Sequence, residues 1–205
     1  MAHIQTRSQP DIRGAHAPDS APELASAFAS TRALSEALVE PLSDADATIQ
    51  SMEDASPAKW HLAHTTWFWE TFLLREHAPG YTLFDERWPF IHNSYYEAEG
   101  ERIARFSRGM LSRPTLDEIL AYRAHVTQAM DVLLENPEHE PLIRLGIAHE
   151  QQHQELLLTD IKHALFQNPL GPAMWPSDGA GPETGASDLG WHSHPGGIAK
   201  IGHQT

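Results

Sequence analysis

The chain comprises 205 residues with a net charge of −14 when its histidines are neutral, and it contains no cysteine. That acidity argues against a phosphate-binding surface, and hence against nucleic acid as a partner; the lack of cysteine excludes disulfides, thiolate metal sites and a cysteine nucleophile. A hydrophobic content of 40% is enough for one helical core with chain to spare, and the negative mean hydropathy points to long polar connections around it.

Residues 1–20 are rich in Pro, Gly, Ser and Ala without an apolar period, which predicts a flexible arm. They lack the apolar centre of a secretion signal, and no apolar run in the chain approaches the roughly 18 residues of a membrane span. The expected location is the cytoplasm, with no membrane partner. Leu24, Phe28, Leu34, Leu38 and Val39 predict a first helix over residues 21–40, ended by Pro41. Ser56-Pro57 predicts the start of a second, with Ser56 as N-cap and Pro57 at the first helical position. This helix is expected to run through WHLAHTTWFWETFLLRE and to stop before Pro79-Gly80.

The stretch from Pro79 to Pro114 is too long for a passive link. With Tyr81, Phe84, Trp88, Phe90, Tyr95 and Tyr96 it is also too aromatic for disorder, which predicts an ordered loop lying over part of the fold. Thr115-Leu116-Asp117-Glu118 has the pattern of a capping box and opens a third helix, LDEILAYRAHVTQAMDVLLEN, terminated by Pro137. A fourth carries LIRLGIAHEQQHQELLLTDIKHALF and ends near Asn168-Pro169. Four helices with no alternating strand pattern between them read as an all-α four-helix bundle over residues 21–168. Residues 169–188 read as a Pro/Gly linker, and residues 189–205 as the truncated start of a mixed α/β domain.

Within the fourth helix, His149-Glu150-Gln151-Gln152-His153 places two imidazoles one turn apart on one face, the geometry by which a helix gives two ligands to one metal ion. The chain has 14 histidines, and at that density about one such spacing arises by chance, so a third ligand has to be found. His149 and His153 align with Leu142, Leu145 and Leu156, which predicts that they point toward the core. The second helix offers His61 and His64 among Trp60, Trp67, Phe68 and Trp69. Facing helices of a bundle are where metal ligands converge, although an aromatic-rich helix also carries polar residues at its boundary for no chemical reason. Three neutral imidazoles would leave a divalent ion its full charge and open positions, inviting an anionic ligand such as a thiolate. Imidazole suits zinc, iron and copper alike, so the donors do not choose the metal.

Ser56-Pro57-Ala58-Lys59-Trp60-His61-Leu62-Ala63-His64-Thr65-Thr66-Trp67-Phe68, Asn93-Ser94-Tyr95-Tyr96, Arg108-Gly109-Met110-Leu111-Ser112-Arg113-Pro114-Thr115 and His149-Glu150-Gln151-Gln152-His153-Gln154-Glu155 together closely resemble the ergothioneine-biosynthesis sulfoxide synthases. These are non-haem iron enzymes with an N-terminal DinB-like four-helix bundle and a C-terminal domain like the formylglycine-generating enzymes. The resemblance runs from about Ala21 to the last residue. It implies Fe(II) held by His64, His149 and His153, with His61 serving the surroundings of the site or the fold. It further implies that Gln152 contacts hercynine, the trimethylated histidine substrate, and that Arg102 holds the carboxylate of the thiol substrate, cysteine or γ-glutamylcysteine. The implied reaction is dioxygen-dependent C–S bond formation giving a sulfoxide. A tyrosine handling the oxygen chemistry would come from the C-terminal domain, of which residues 191–205 resemble only the opening, so the chain is expected to be the metal-binding part of the enzyme. His92 stands where the family often has Phe and is expected to face solvent.

Two other readings compete. HEQQH also fits a zinc hydrolase with Glu150 as general base, and the same bundle could serve a zinc-dependent thiol transferase. A metal-binding fragment without turnover of its own is the non-enzymatic alternative. No pattern in the sequence points to an oligomeric state.

Overall fold

The computed structural model describes residues 21–94, 96–175, 190–191 and 193–199. The predicted arm over residues 1–20 and, of the predicted 169–188 linker, residues 176–188 lie outside them, as does Tyr95. Helix α1 (Ala21–Val39) is followed by a short α2 (Asp44–Thr48) and by α3 (Ala58–Trp69), which continues through a π-helical turn at Glu70–Leu74 into α4 (Arg75–His77). After α5 (Trp88–His92), α6 (Leu116–Ala129) leads into α7 (Asp131–Leu134), and α8 (Glu140–Gln167) completes the bundle. Four rods spanning 21–39, 58–77, 116–134 and 140–167 make an all-α architecture, with no strand among the described residues. No described helix is long and apolar enough to cross a membrane.

Helix α3 is the centre of this arrangement. All twelve of its residues are buried, the polar Lys59, His61, His64, Thr65 and Thr66 included, and it packs against α8, α6 and α1. Helix α1 turns Leu24, Phe28, Thr31, Arg32, Ser35 and Val39 inward at helical spacing. Helix α8 buries Ile143, Gly146, Ile147, Glu150, Gln154, Leu157, Asp160, Ile161 and Ala164. That face is rotated from the predicted one: Leu145 is 57% exposed and Leu156 38%. The physical reason is that the inward stripe is built from polar as well as apolar residues, so leucine positions alone misplace it. At Gly146 a Cβ would lie 2.4 Å from the Trp69 ring, so only glycine lets α3 and α8 come this close.

The capping box before α6 forms as predicted: the Thr115 backbone N–H donates to Glu118 Oε2 at 2.7 Å, and the Glu118 N–H donates to Thr115 Oγ1 at 3.3 Å. A second box, Ser43 with Asp46, opens α2, which was not among the predicted helices. Ser56 does not cap α3. Pro57 occupies the cap position, and Ser56 instead gives its N–H to Asp160 Oδ2 at 2.8 Å.

The described residues between α4 and α6 pack onto the bundle, and a buried carboxylate anchors them. Glu70 accepts from Tyr81 OH at 2.6 Å, from the Phe84 N–H at 3.0 Å and from Tyr122 OH at 2.6 Å. Trp88 is buried with its ring edge-on to Tyr122 at 4.9 Å, and Tyr96 lies 5.3 Å from Trp67 and 5.1 Å from Phe72 between ring centroids. Phe90, by contrast, is half exposed.

The chain divides into two compact units, Met1–Trp175 and Pro176–Thr205. In the second, the described residues 190–191 and 193–199 contain no helix or strand, and Gly196 and Gly197 adopt positive φ angles of 76° and 109°.

Candidate metal centre

Helices α3 and α8 bring His64, His149 and His153 together, with one nitrogen from each lying within 4.8 Å of the others. The ring centroids are 5.1 Å (His64–His149), 4.7 Å (His64–His153) and 4.7 Å (His149–His153) apart. His64 is held on α3 by its neighbours at i−4 and i+3: the Trp60 ring is parallel to it at 4.7 Å and Trp67 at 5.4 Å. His149 rests against Phe68 at 4.7 Å. Both α8 histidines are partly exposed at the edge of the buried face, so the group opens toward solvent on one side.

Hydrogen bonds decide which nitrogens carry protons. His64 Nδ1 lies 2.6 Å from the His92 carbonyl oxygen, which can only accept, so Nδ1 carries the proton and Nε2 is bare. His61 Nε2 lies 3.0 Å from the Asp160 carboxylate and is likewise the donor. A neutral His61 then has an acceptor at Nδ1, 2.9 Å from His153 Nδ1, which must donate and so leaves His153 Nε2 bare. His149 Nδ1 is buried without a hydrogen-bond partner. Neutral imidazoles each offering a bare nitrogen are the donor set a divalent transition metal requires. This group could hold a metal ion.

The electrostatics keep the donors neutral. Burial lowers the His64 pKa well below its ordinary value, with the neighbouring His149 adding to it. Burial, then His64, His61 and His149, holds His153 far below. Burial brings His149 down to about 4 against a small opposing pull from Glu150. For each of these groups the unfolded chain binds protons before the folded one does. Stability is therefore complete above about pH 6.5 and is lost as pH falls through the folded values. His92, brought down to about 3 by burial, alone costs about 1.4 kcal/mol one pH unit below its ordinary 6.5. The melting temperature of the metal-free protein is expected to fall steadily between pH 7 and 5; a flat profile by circular dichroism would contradict this.

Other sequence expectations meet a mixed outcome. Gln152 is exposed on α8 beside His153, and Arg102 is exposed in the aromatic segment. His92 does not face solvent: it is 1% exposed, because the aromatic segment folds its ring against Trp88 and Tyr122 while its carbonyl orients His64. Glu150 is unavailable as a hydrolytic base. It is 1% exposed, accepting from Ser35 Oγ (2.7 Å), Arg123 Nη2 (2.8 Å), Arg32 Nη1 (3.0 Å) and Trp69 Nε1 (2.8 Å). Although burial alone would raise its pKa, the two guanidinium groups and these hydrogen bonds hold it well below the usual carboxylate range. The hydrolase expectation fails because one residue along a helix is a 100° turn, which carries Glu150 into the core while His149 stays at its edge.

Sequence reasoning gave no role to Arg108. Its guanidinium carbon sits 3.4 Å from the centroid of the Trp60 ring, and its Nη1 and Nη2 donate to Ser56 Oγ (2.9 Å) and Ser94 Oγ (3.2 Å). It thereby fixes the tryptophan that backs His64. The available signal was its place in the Arg108-Gly109-Met110 run, within a segment already expected to lie over the fold.

The sequence model of the DinB superfamily matches residues 27–157, which includes all three clustered histidines. No curated protein matches this chain.

Proposed function

This chain belongs to the DinB superfamily, which includes metal-dependent enzymes, and from that premise we propose that His64, His149 and His153 form the iron(II) centre of an oxygen-dependent sulfoxide synthase acting on hercynine and a cysteine-type thiol. The observation that carries this reading is the convergence of three neutral imidazoles with no carboxylate among them. Such a set leaves a divalent ion its whole charge and favours an anionic thiolate as a further ligand. Bound there, iron(II) supplies Lewis acidity toward the thiol and a redox centre for dioxygen. The thiol S–H and an imidazole C–H are lost as the C–S bond forms; one oxygen atom enters the sulfoxide and the other leaves as water with the two hydrogens. Gln152, exposed beside His153, contacts hercynine in this reading. Arg102 holds the carboxylate of the thiol, cysteine or γ-glutamylcysteine.

A zinc-dependent thiol transferase is the reading to set against it, because the same imidazoles suit zinc. The deciding experiment supplies anaerobically loaded Fe(II) protein with hercynine, each thiol and then oxygen. It uses this chain alone and joined to a formylglycine-generating-enzyme-like domain. Sulfoxide that requires both Fe(II) and oxygen is the expected product by mass spectrometry. Thiol transfer with zinc in the absence of oxygen would overturn the reading, and no turnover in either form would leave a metal-binding bundle without activity of its own.

A further inference from the structure

We propose that Asp160 and His61 form a positioning relay that fixes which nitrogen of His153 faces the metal, so that the ligand's orientation is set from inside the bundle before any ion binds. The relay's geometry stands on its own; its effect on metal affinity rests on the three-histidine reading above.

His153 and Asp160 lie two helical turns apart on α8, and His61 of α3 spans the gap between them. Its Nδ1 is 2.9 Å from His153 Nδ1 and its Nε2 is 3.0 Å from Asp160 Oδ2. The same carboxylate oxygen accepts the Ser56 N–H at 2.8 Å, so it is held from the α3 side as well. His61, Ser56 and Asp160 are all buried, and no competing water-facing group offers His153 Nδ1 another partner among the described residues. A carboxylate only accepts, so His61 donates from Nε2–H to Asp160; with His61 neutral its Nδ1 must then accept, and the chain of bonds has one direction, His153 Nδ1–H to His61 and His61 Nε2–H to Asp160.

That direction has a consequence a merely structural hydrogen bond would lack. An unrestrained neutral imidazole favours the proton on Nε2, which in His153 would turn a donor hydrogen toward the cluster. The relay enforces the opposite tautomer. Partners of this kind, one step removed from the metal, typically change affinity by about 10–100-fold when removed. His61 is therefore a positioning residue, and one ion still binds without it, more weakly.

The test is nitrogen-15 NMR of the side-chain imidazoles in the full chain without metal, followed by zinc titration against a chromophoric chelator. In the unsubstituted protein His153 is expected as the Nδ1–H form. His61→Leu should shift it to the Nε2–H form and weaken zinc about 10–100-fold. His61→Gln, whose side-chain carbonyl can accept from Nδ1–H, should restore the tautomer and most of the affinity. An Nε2–H His153 in the unsubstituted protein overturns the proposal; so does a His61→Leu protein with unchanged tautomer or unchanged affinity. If His61→Leu fails to fold, the unsubstituted protein and His61→Gln still decide it. Absence of zinc binding by the unsubstituted protein would instead sink the metal reading, leaving the tautomer measurement to judge the relay.

Discussion

Glu150→Gln is expected to destabilise the fold by about 3–5 kcal/mol, the loss typical of breaking a buried ion pair from one side. Arg32 and Arg123 are 2% and 0% exposed, and among the described residues Glu150 is the carboxylate that pairs with both of them from within the core. Burial, together with the neighbouring Arg123, already pulls the Arg32 pKa down to about 10, which records how poorly this environment tolerates cations that are not balanced. A glutamine keeps the shape and part of the hydrogen bonding but leaves two guanidinium groups facing each other. Urea denaturation followed by circular dichroism measures the effect, and an unchanged midpoint would show that the network is not what holds α1, α6 and α8 together. The same variant separates two roles for this residue: a general base would lose turnover with stability intact, whereas the observed contacts predict the reverse order of damage.

The second large effect concerns the metal. His64→Ala and His153→Ala are each expected to weaken metal binding by more than the roughly 100-fold upper range seen for outer partners, because each removes one of three donors. His61→Ala, which removes only a supporting group, should retain one bound ion. Calorimetric titration with a divalent ion near pH 7.5 reads the affinities directly. A second readout is thermal: an ion that binds only the folded state adds about 2.7 kcal/mol at a concentration one hundred times its Kd, so the unsubstituted protein should melt higher with metal and the His64→Ala and His153→Ala variants should not. If His61→Ala lost all binding while His64→Ala kept it, the wrong α3 histidine has been chosen.

The bundle was legible from the sequence because its signals are local. Thr115 with Glu118, Pro41, Pro79 and Pro137 mark helix ends by backbone chemistry that does not depend on the rest of the fold. The three clustered histidines were legible as residues, two by spacing and one by motif. What was not legible depends on the third dimension. The inward face of α8 is laid out by Glu150, Gln154 and Asp160, polar residues whose partners come from α1, α3 and α6, more than 20 residues away in the chain. His92 was misjudged for a related reason: the aromatic segment was expected to lie over the fold, but nothing near His92 in sequence tells that its ring turns inward against Trp88 and Tyr122. Arg108 is a further case, since its value lies in the face of Trp60, nearly fifty residues earlier.

Glycine in the middle of a 28-residue helix costs about 0.5–1 kcal/mol relative to alanine, so position 146 is where local propensity and the assembled site disagree. The usual improvement, Gly146→Ala, would set a methyl group against the indole of Trp69, whose nitrogen binds Glu150 one turn further along. Because the same indole also belongs to the helix that carries His64, a wedge there would part the two halves of the histidine cluster while leaving every ligand in place. In engineering terms, the spacing of this centre is stored in a side chain the protein omits, and a library that scores helix propensity alone would erase it first.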